Sequence, residues 1–210
     1  MGGQPLGETE EETDVGVITT ANLKPAAQCR KAARIAATVL GQICRAFHYR
    51  DRHIFVQLYM QYVRLHLEFA AVAWSPWQEG DKACLEIVQQ RAVAMVSGLT
   101  GRDYEARLKE LDMVTLEERR HQIDMAQVQK LLTGRDRVNV NRLLTMANSH
   151  GRDTRVAADD LCLRQGNGRL EVRRNFFTQR IVAPWNQVPS EIKHLRSVQA
   201  FKNHYRKLRR

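Results

Sequence analysis

Lys24, Arg30, Lys31 and Arg34 fall in a stretch whose apolar residues recur every three or four positions, so one helix would carry their cations together. Guanidinium and ammonium groups along one helix can track consecutive phosphates of a nucleic acid. Arg45, Arg50 and Arg52 extend the series into the corner Phe47-His48-Tyr49-Arg50-Asp51-Arg52. Lys202, Arg206 and Lys207 form a second series near the carboxyl end, where no carboxylate follows Glu191. The same residues also describe an ordinary solvated helix face, and spacing alone leaves both readings open.

Other residue types give weaker signals. Trp74 and Trp77 bracket Ser75-Pro76; such rings either stack on exposed bases, worth about 1 to 3 kcal/mol per base, or fill a core. Asp159-Asp160 is an adjacent carboxylate pair of the kind that holds divalent cations. It follows Ala157-Ala158 in a polar stretch with no strand signal, which describes a solvent-facing pair or a helix cap. His66 and Glu68, two apart on a helix, do not share a face. The 7 His include no HExxH, and no Ser or Cys has a recognisable nucleophile context. Cys29, Cys44, Cys84 and Cys162 lack metal-ligand spacing, so reduced and mostly buried thiols are expected. No catalytic residue and no metal ligand is assigned.

The overall charge supports a polyanion partner. The chain of 210 residues carries a formal net charge of +10. Glu8, Glu10, Glu11, Glu12 and Asp14 stand before any Lys or Arg, so all 33 cations lie beyond residue 14, against 18 of the 23 carboxylates. A surface so basic attracts nucleic acid electrostatically. No apolar run approaches the roughly 18 to 20 residues needed to cross a bilayer, so an intracellular protein without a membrane partner is expected.

Helices must position these residues, and the expected fold class is mainly α. Residues 1–12, Gly-rich and then acidic, predict a disordered acidic lead. Thr13 to Thr19 reads as one orphan strand, whose missing partner hints at a sheet upstream. From Pro25 to Phe47 the set Ala32, Ala36, Val39, Leu40, Ile43 and Phe47 marks one helix face. A second helix opens at Asp51, a plausible N-cap, and puts Phe55, Leu58, Tyr59, Tyr62, Leu65 and Phe69 on one face before Ser75-Pro76 stops it. A third spans Gly80 to Ser97. Asp103 to Leu111 is a short helix, and Thr115-Leu116-Glu117-Glu118 is a capping-box signal for a helix reaching Leu132.

These elements make residues 13–134 a strand plus a helical bundle. Residues 135–173 read as a loosely ordered polar connector with one short helix near Arg142 to Ala147. Residues 174–210 read as a small basic helical segment, with Phe176, Phe177, Ile181, Val182 and Trp185 on one face and Ser197 capping a last helix through Phe201 and Tyr205.

Taken in order, several motifs resemble the thumb-side region of reverse transcriptases from jockey-type non-LTR (LINE-like) retrotransposons. They are Asp14-Val15-Gly16-Val17, the basic helix from Lys24 to Phe47, Phe47 to Arg52, Arg64-Leu65-His66-Leu67-Glu68-Phe69, Trp74-Ser75-Pro76, and Gln90-Arg91-Ala92 with Gly98-Leu99. The similarity continues through Tyr104-Glu105, Thr115 to Arg120, Arg173-Arg174-Asn175-Phe176-Phe177, Trp185-Asn186 with Pro189-Ser190, and Phe201-Lys202, so it covers about Glu11 to the carboxyl end. Leu65 stands where the family usually has Pro, Phe69 where it has Tyr, and the Gln90-Arg91-Ala92 element lacks a second Arg.

The resemblance implies a thumb-like bundle lying against a primer and template duplex. The family's palm, with an aromatic-Ala-Asp-Asp turn and a third aspartate, lies before the point where this sequence begins. Those carboxylates hold two magnesium ions about 3.5 to 4 Å apart during nucleotidyl transfer. The implied chain is thus a carboxyl-terminal fragment of an RNA-directed DNA polymerase: no enzyme on its own, without cofactor, Mg2+ belonging only to the full-length parent. Its implied partners are RNA, DNA or an RNA–DNA hybrid and the upstream palm, and its compartment is intracellular, with the nucleus included. Two alternatives stay open: a co-opted helical protein-interaction module using the hairpin of the first two helices, and a decayed reading frame without selected function.

Overall fold

Val15 and Gly16 have left-handed backbone, with φ of 46° and 84°, and that corner folds β1 (Glu11–Asp14) antiparallel onto β2 (Val17–Thr20). Positive φ at both central residues gives a two-residue hairpin the twist its strands need. The computed structural model describes residues 9–49, 51–147 and 161–209. The expected orphan strand is therefore corrected to a hairpin: Glu11 pairs with Thr20 and Asp14 with Val17, so the partner is made of Glu11 and Glu12 from the acidic lead and of Thr13 and Asp14 from the expected strand itself. Of that lead, residues 1–8 lie outside the described residues, while Glu11 and Glu12 are strand.

The chain divides into two compact units, the first ending at Glu117 and the second running from Glu118 to Arg210. In the first, α1 (Ala26–Ala46) is the central helix. It buries Cys29, Ala32, Ala33, Ala36, Leu40 and Ile43, and the small side chains allow close approach of its neighbours. Gln28 on α1 accepts the Ile18 N–H at 2.9 Å, and Lys31 Nζ donates to the Gly16 carbonyl at 2.9 Å, which fastens the hairpin to the helix.

After α1, Asp51 caps α2 (Arg52–Leu58) as its sequence position predicts, accepting from the His53 and Ile54 N–H groups at 2.9 and 3.3 Å. The helix continues through one π turn, Tyr59–Val63, into α3 (Arg64–Glu68). This wider turn shifts the register. Phe55, Tyr59, Val63 and Leu67, each four residues apart, are the buried set, whereas Tyr62, Leu65 and Phe69 are about half exposed and not core as expected. A strict 3.6-residue period would drift by a third of a turn over that span, and the π turn removes the drift.

Ala70, at φ 49°, breaks the chain before α4 (Ala71–Trp74). Then follow α5 (Glu79–Ala94), α6 (Tyr104–Glu110) and α7 (Leu116–Leu132). Asp103 caps α6 by accepting from the Ala106 N–H at 2.7 Å. Gln89 is fully buried on α5. It accepts from Tyr59 Oη at 2.9 Å and donates to Tyr104 Oη and the Val114 carbonyl at 2.9 and 3.0 Å. Glu86 beside it accepts from Tyr104 Oη and, at 2.9 Å, from the Leu116 N–H.

The second unit has its own core of Met125, Val128 and Leu131 from α7, with Leu144, Leu163, Ile181, Val182, Trp185, Val188, Phe201 and Tyr205. Most of α7, expected to close the first bundle, thus belongs to the second unit. The short helix expected near Arg142 to Ala147 is α8 (Val140–Leu143). The described ends of the connector are not loose: Met146 and Leu163 form an antiparallel bridge, Leu144 and Leu163 are buried, and Asn186 brackets the Leu163 backbone at 2.9 and 2.8 Å. The chain then forms α9 (Glu171–Asn175), α10 (Phe177–Arg180), α11 (Val182–Asn186), α12 (Ser190–Lys193) and α13 (Val198–Leu208). No helix among the described residues is long and apolar enough to cross a membrane.

Candidate nucleic-acid interface

Charge separates along the boundary between the units. Residues 118–210 hold 20 of the 33 Lys and Arg but 8 of the 23 Asp and Glu, so carboxylates outnumber cations in the remainder. The basic character lies in the second unit.

Within that unit, α13 is oriented by its aromatic residues. Phe201 stacks on Tyr205 with centroids 5.6 Å apart and meets Trp185 at 5.8 Å, which turns this stripe to the core. Ser197 accepts from the Ala200 N–H at 3.4 Å and starts the helix where its sequence position predicts. Lys202 and Lys207 are consequently exposed and Arg206 half-buried. A cleft of about 170 Å³ runs between α7 and α13, lined by Arg119, Gln122, Lys202, Asn203 and Arg206 among others. Among the described residues no carboxylate lines it. Glu118, the nearest one in sequence, is bound by Arg209 Nη2 at 2.7 Å.

Cations beside side-chain amides suit phosphate oxygens, because both groups donate hydrogen bonds and only the cations carry charge to neutralise. Tyr205 is pushed up to about 12 chiefly by burial, and its hydroxyl shares a 2.7 Å hydrogen bond with His121 Nε2. It therefore stays neutral and acts as a fastener of the cleft wall. A second basic recess, of about 430 Å³, is lined by Arg135, Lys193, His194 and Arg196 beside Leu132, Thr133 and Leu161. Here Arg135 Nη2 donates to the Arg196 carbonyl at 3.0 Å.

In the first unit, Arg30, Arg34 and Arg45 are exposed along the side of α1 opposite its buried Ala residues, and they span about 22 Å of axis. Lys24 is exposed just before that helix. The remaining candidates there are engaged: Lys31 on the Gly16 carbonyl, and Arg52 with Glu110 at 2.6 Å, a carboxylate that Arg102 also approaches at 3.4 Å. Arg50 lies outside the described residues.

No family model, curated protein or solved structure matches the chain.

The other sequence candidates fall elsewhere. Trp74 is buried and donates to the Phe69 carbonyl at 2.7 Å, a core role; Trp77 is half-buried. Glu68 pairs with Arg64 at 3.5 Å. Asp159-Asp160 lies outside the described residues. All four cysteines are free thiols, and burial pushes the Cys84 thiol up. Among the described residues no group of three or more His, Cys, Asp or Glu is arranged to hold a metal. Arg119 and Gln122 escaped the sequence reading because their helix faces α13 only after folding.

Proposed function

We propose that this chain is a helical nucleic-acid-binding module of the kind that forms the thumb and following region of non-LTR retrotransposon reverse transcriptases. On this reading it binds RNA, DNA or their hybrid through phosphates and carries out no nucleotidyl transfer itself. The observation that carries the reading is the excess of Lys and Arg over carboxylates in residues 118–210. Internal pairing sharpens it: Glu118 and Asp124 are held by Arg209 and Arg180, and Asp136 accepts from Gln127 Nε2 at 2.6 Å. The ordered motif resemblance, from Asp14-Val15-Gly16-Val17 to Phe201-Lys202, supplies the family context and the duplex partner.

Fluorescence anisotropy of a labelled RNA–DNA hybrid against the protein tests the reading. Binding should weaken with salt by roughly 0.7 to 0.9 log units per log unit of salt for each phosphate neutralised. No binding at low salt overturns it.

A second reading, a protein-interaction module, is favoured by one observation. The π turn leaves Tyr62, Leu65 and Phe69 about half exposed on α2 and α3 and on the residue after them. Capture from nuclease-treated extract separates the readings: partners that survive and are lost with Y62S/L65S support the module, and partners lost with nuclease support the first.

A further inference from the structure

Phe176 and Phe177 are adjacent, yet the fold sends them to different places. Phe177 packs against the second core, with the Arg180 guanidinium 5.6 Å from its centroid. Phe176 sits between α9 and α10 in extended backbone, is 45% exposed, and has the Arg173 guanidinium 6.0 Å from its ring centre. Leu170, one short helix earlier, is 72% exposed.

The charge around these apolar surfaces has one sign. From Arg164 to Phe176 the chain holds Arg164, Arg169, Arg173 and Arg174, all exposed, against one carboxylate, Glu171. The segment is anchored. Arg180 Nη1 donates to the Asn175 carbonyl at 3.1 Å, and the Gly166 N–H donates to Gln179 Oε1 at 3.1 Å. A Cβ on Gly166 would meet Gln179 at 3.0 Å, so the close approach suits glycine.

We infer that this Arg-rich segment with its outward Phe176 is a stacking site for single-stranded nucleic acid, RNA or DNA. The inference rests on the nucleic-acid reading above and adds the state of the strand. A duplex hides its base faces in the stack and offers this surface only phosphates, which leaves Phe176 and Leu170 without a partner. A single strand presents unstacked bases to the ring and phosphates to the guanidinium groups together. Arg173 supports the ring from its face as a cation–π partner.

The test is anisotropy with an unstructured labelled single strand, as RNA and as DNA, and with its duplex, using the full chain. F176A should weaken single-strand binding on the order of tenfold at fixed salt, with an unchanged salt slope and unchanged duplex affinity. F176L, which keeps an apolar side chain without the ring, should weaken it similarly, and F176W should restore it, with indole fluorescence quenched when the strand is added. F176L decides the matter if circular dichroism shows F176A misfolded. Wild-type single-strand affinity in both F176A and F176L, or an equal loss on duplex, overturns the stacking site while leaving general binding intact. No binding of any strand by the wild type overturns the parent reading and this one with it.

Discussion

Arg180 grips Asp124 with two parallel bonds, Nε to Oδ2 at 2.8 Å and Nη2 to Oδ1 at 2.9 Å, and so ties α10 to α7. Asp124 is buried and Arg180 mostly so, which makes the pair costly to break from one side. D124A should destabilise the second unit by about 3 kcal/mol, read as a lower denaturant midpoint in urea with an unchanged slope. A stability equal to wild type would show that the pair is solvated in solution.

Gln89 satisfies four partners, Tyr59, Glu86, Tyr104 and the Val114 carbonyl, from a site with no access to water. Q89A removes the amide and strands Tyr59 Oη and the Val114 carbonyl, each worth about 1 to 3 kcal/mol when left unpaired. The expected loss is about 2 to 6 kcal/mol. Y59F strands only Gln89 Oε1 and leaves its amide nitrogen paired, so it should lose about 1 to 3 kcal/mol, less than Q89A. If the two variants are equally stable, the network is not closed to solvent.

Alkaline pH should unfold the second unit through Tyr205. Burial raises its folded value from 10 to about 12, while in the unfolded chain it titrates near its ordinary value. Between those limits the folded state retains a proton that the unfolded state has released. The stabilisation is therefore complete below pH about 10 and declines as pH rises toward about 12. Y205F should flatten this part of the stability curve; an unchanged curve would assign the alkaline loss of the second unit to groups other than Tyr205.

Gly16 holds φ 84° with Phe69 Cε1 3.4 Å from where a Cβ would stand. G16A should cost about 1 kcal/mol and raise amide exchange in β1 and β2 before it affects α1. Exchange that rises evenly through the first unit would show that the hairpin is part of its cooperative core.

Lys202 and Arg206 line the α7–α13 cleft. If they neutralise phosphates, K202Q and R206Q should each lower the salt slope by about 0.7 to 0.9 and weaken binding alike across sequences. A slope unchanged in the double variant would move the phosphate contacts elsewhere on the protein.

Local signals carried far. Asp51 and Ser197 cap their helices as their positions predict, since a cap needs only its own side chain and the next three residues. The mainly α fold followed from apolar spacing for the same reason. Residues whose roles depend on distant partners were read less well. The single strand expected from Thr13 to Thr19 instead folds back at Val15-Gly16, and its first half, Thr13 and Asp14, joins Glu11 and Glu12 to pair with Val17–Thr20.

By itself, then, the sequence determined the mainly α class, the caps at Asp51 and Ser197, the free thiols and the sign of the total charge, all of which arise from composition or from neighbours within one turn. Tertiary structure alone decided that α7 turns from the first core to the second, that a π turn exposes Tyr62, Leu65 and Phe69, and that Arg119 meets Lys202 and Arg206 across a cleft. It also separated Phe176 from Phe177. Those outcomes depend on which apolar faces close against each other, a choice made between segments tens of residues apart and encoded in no single window of the chain.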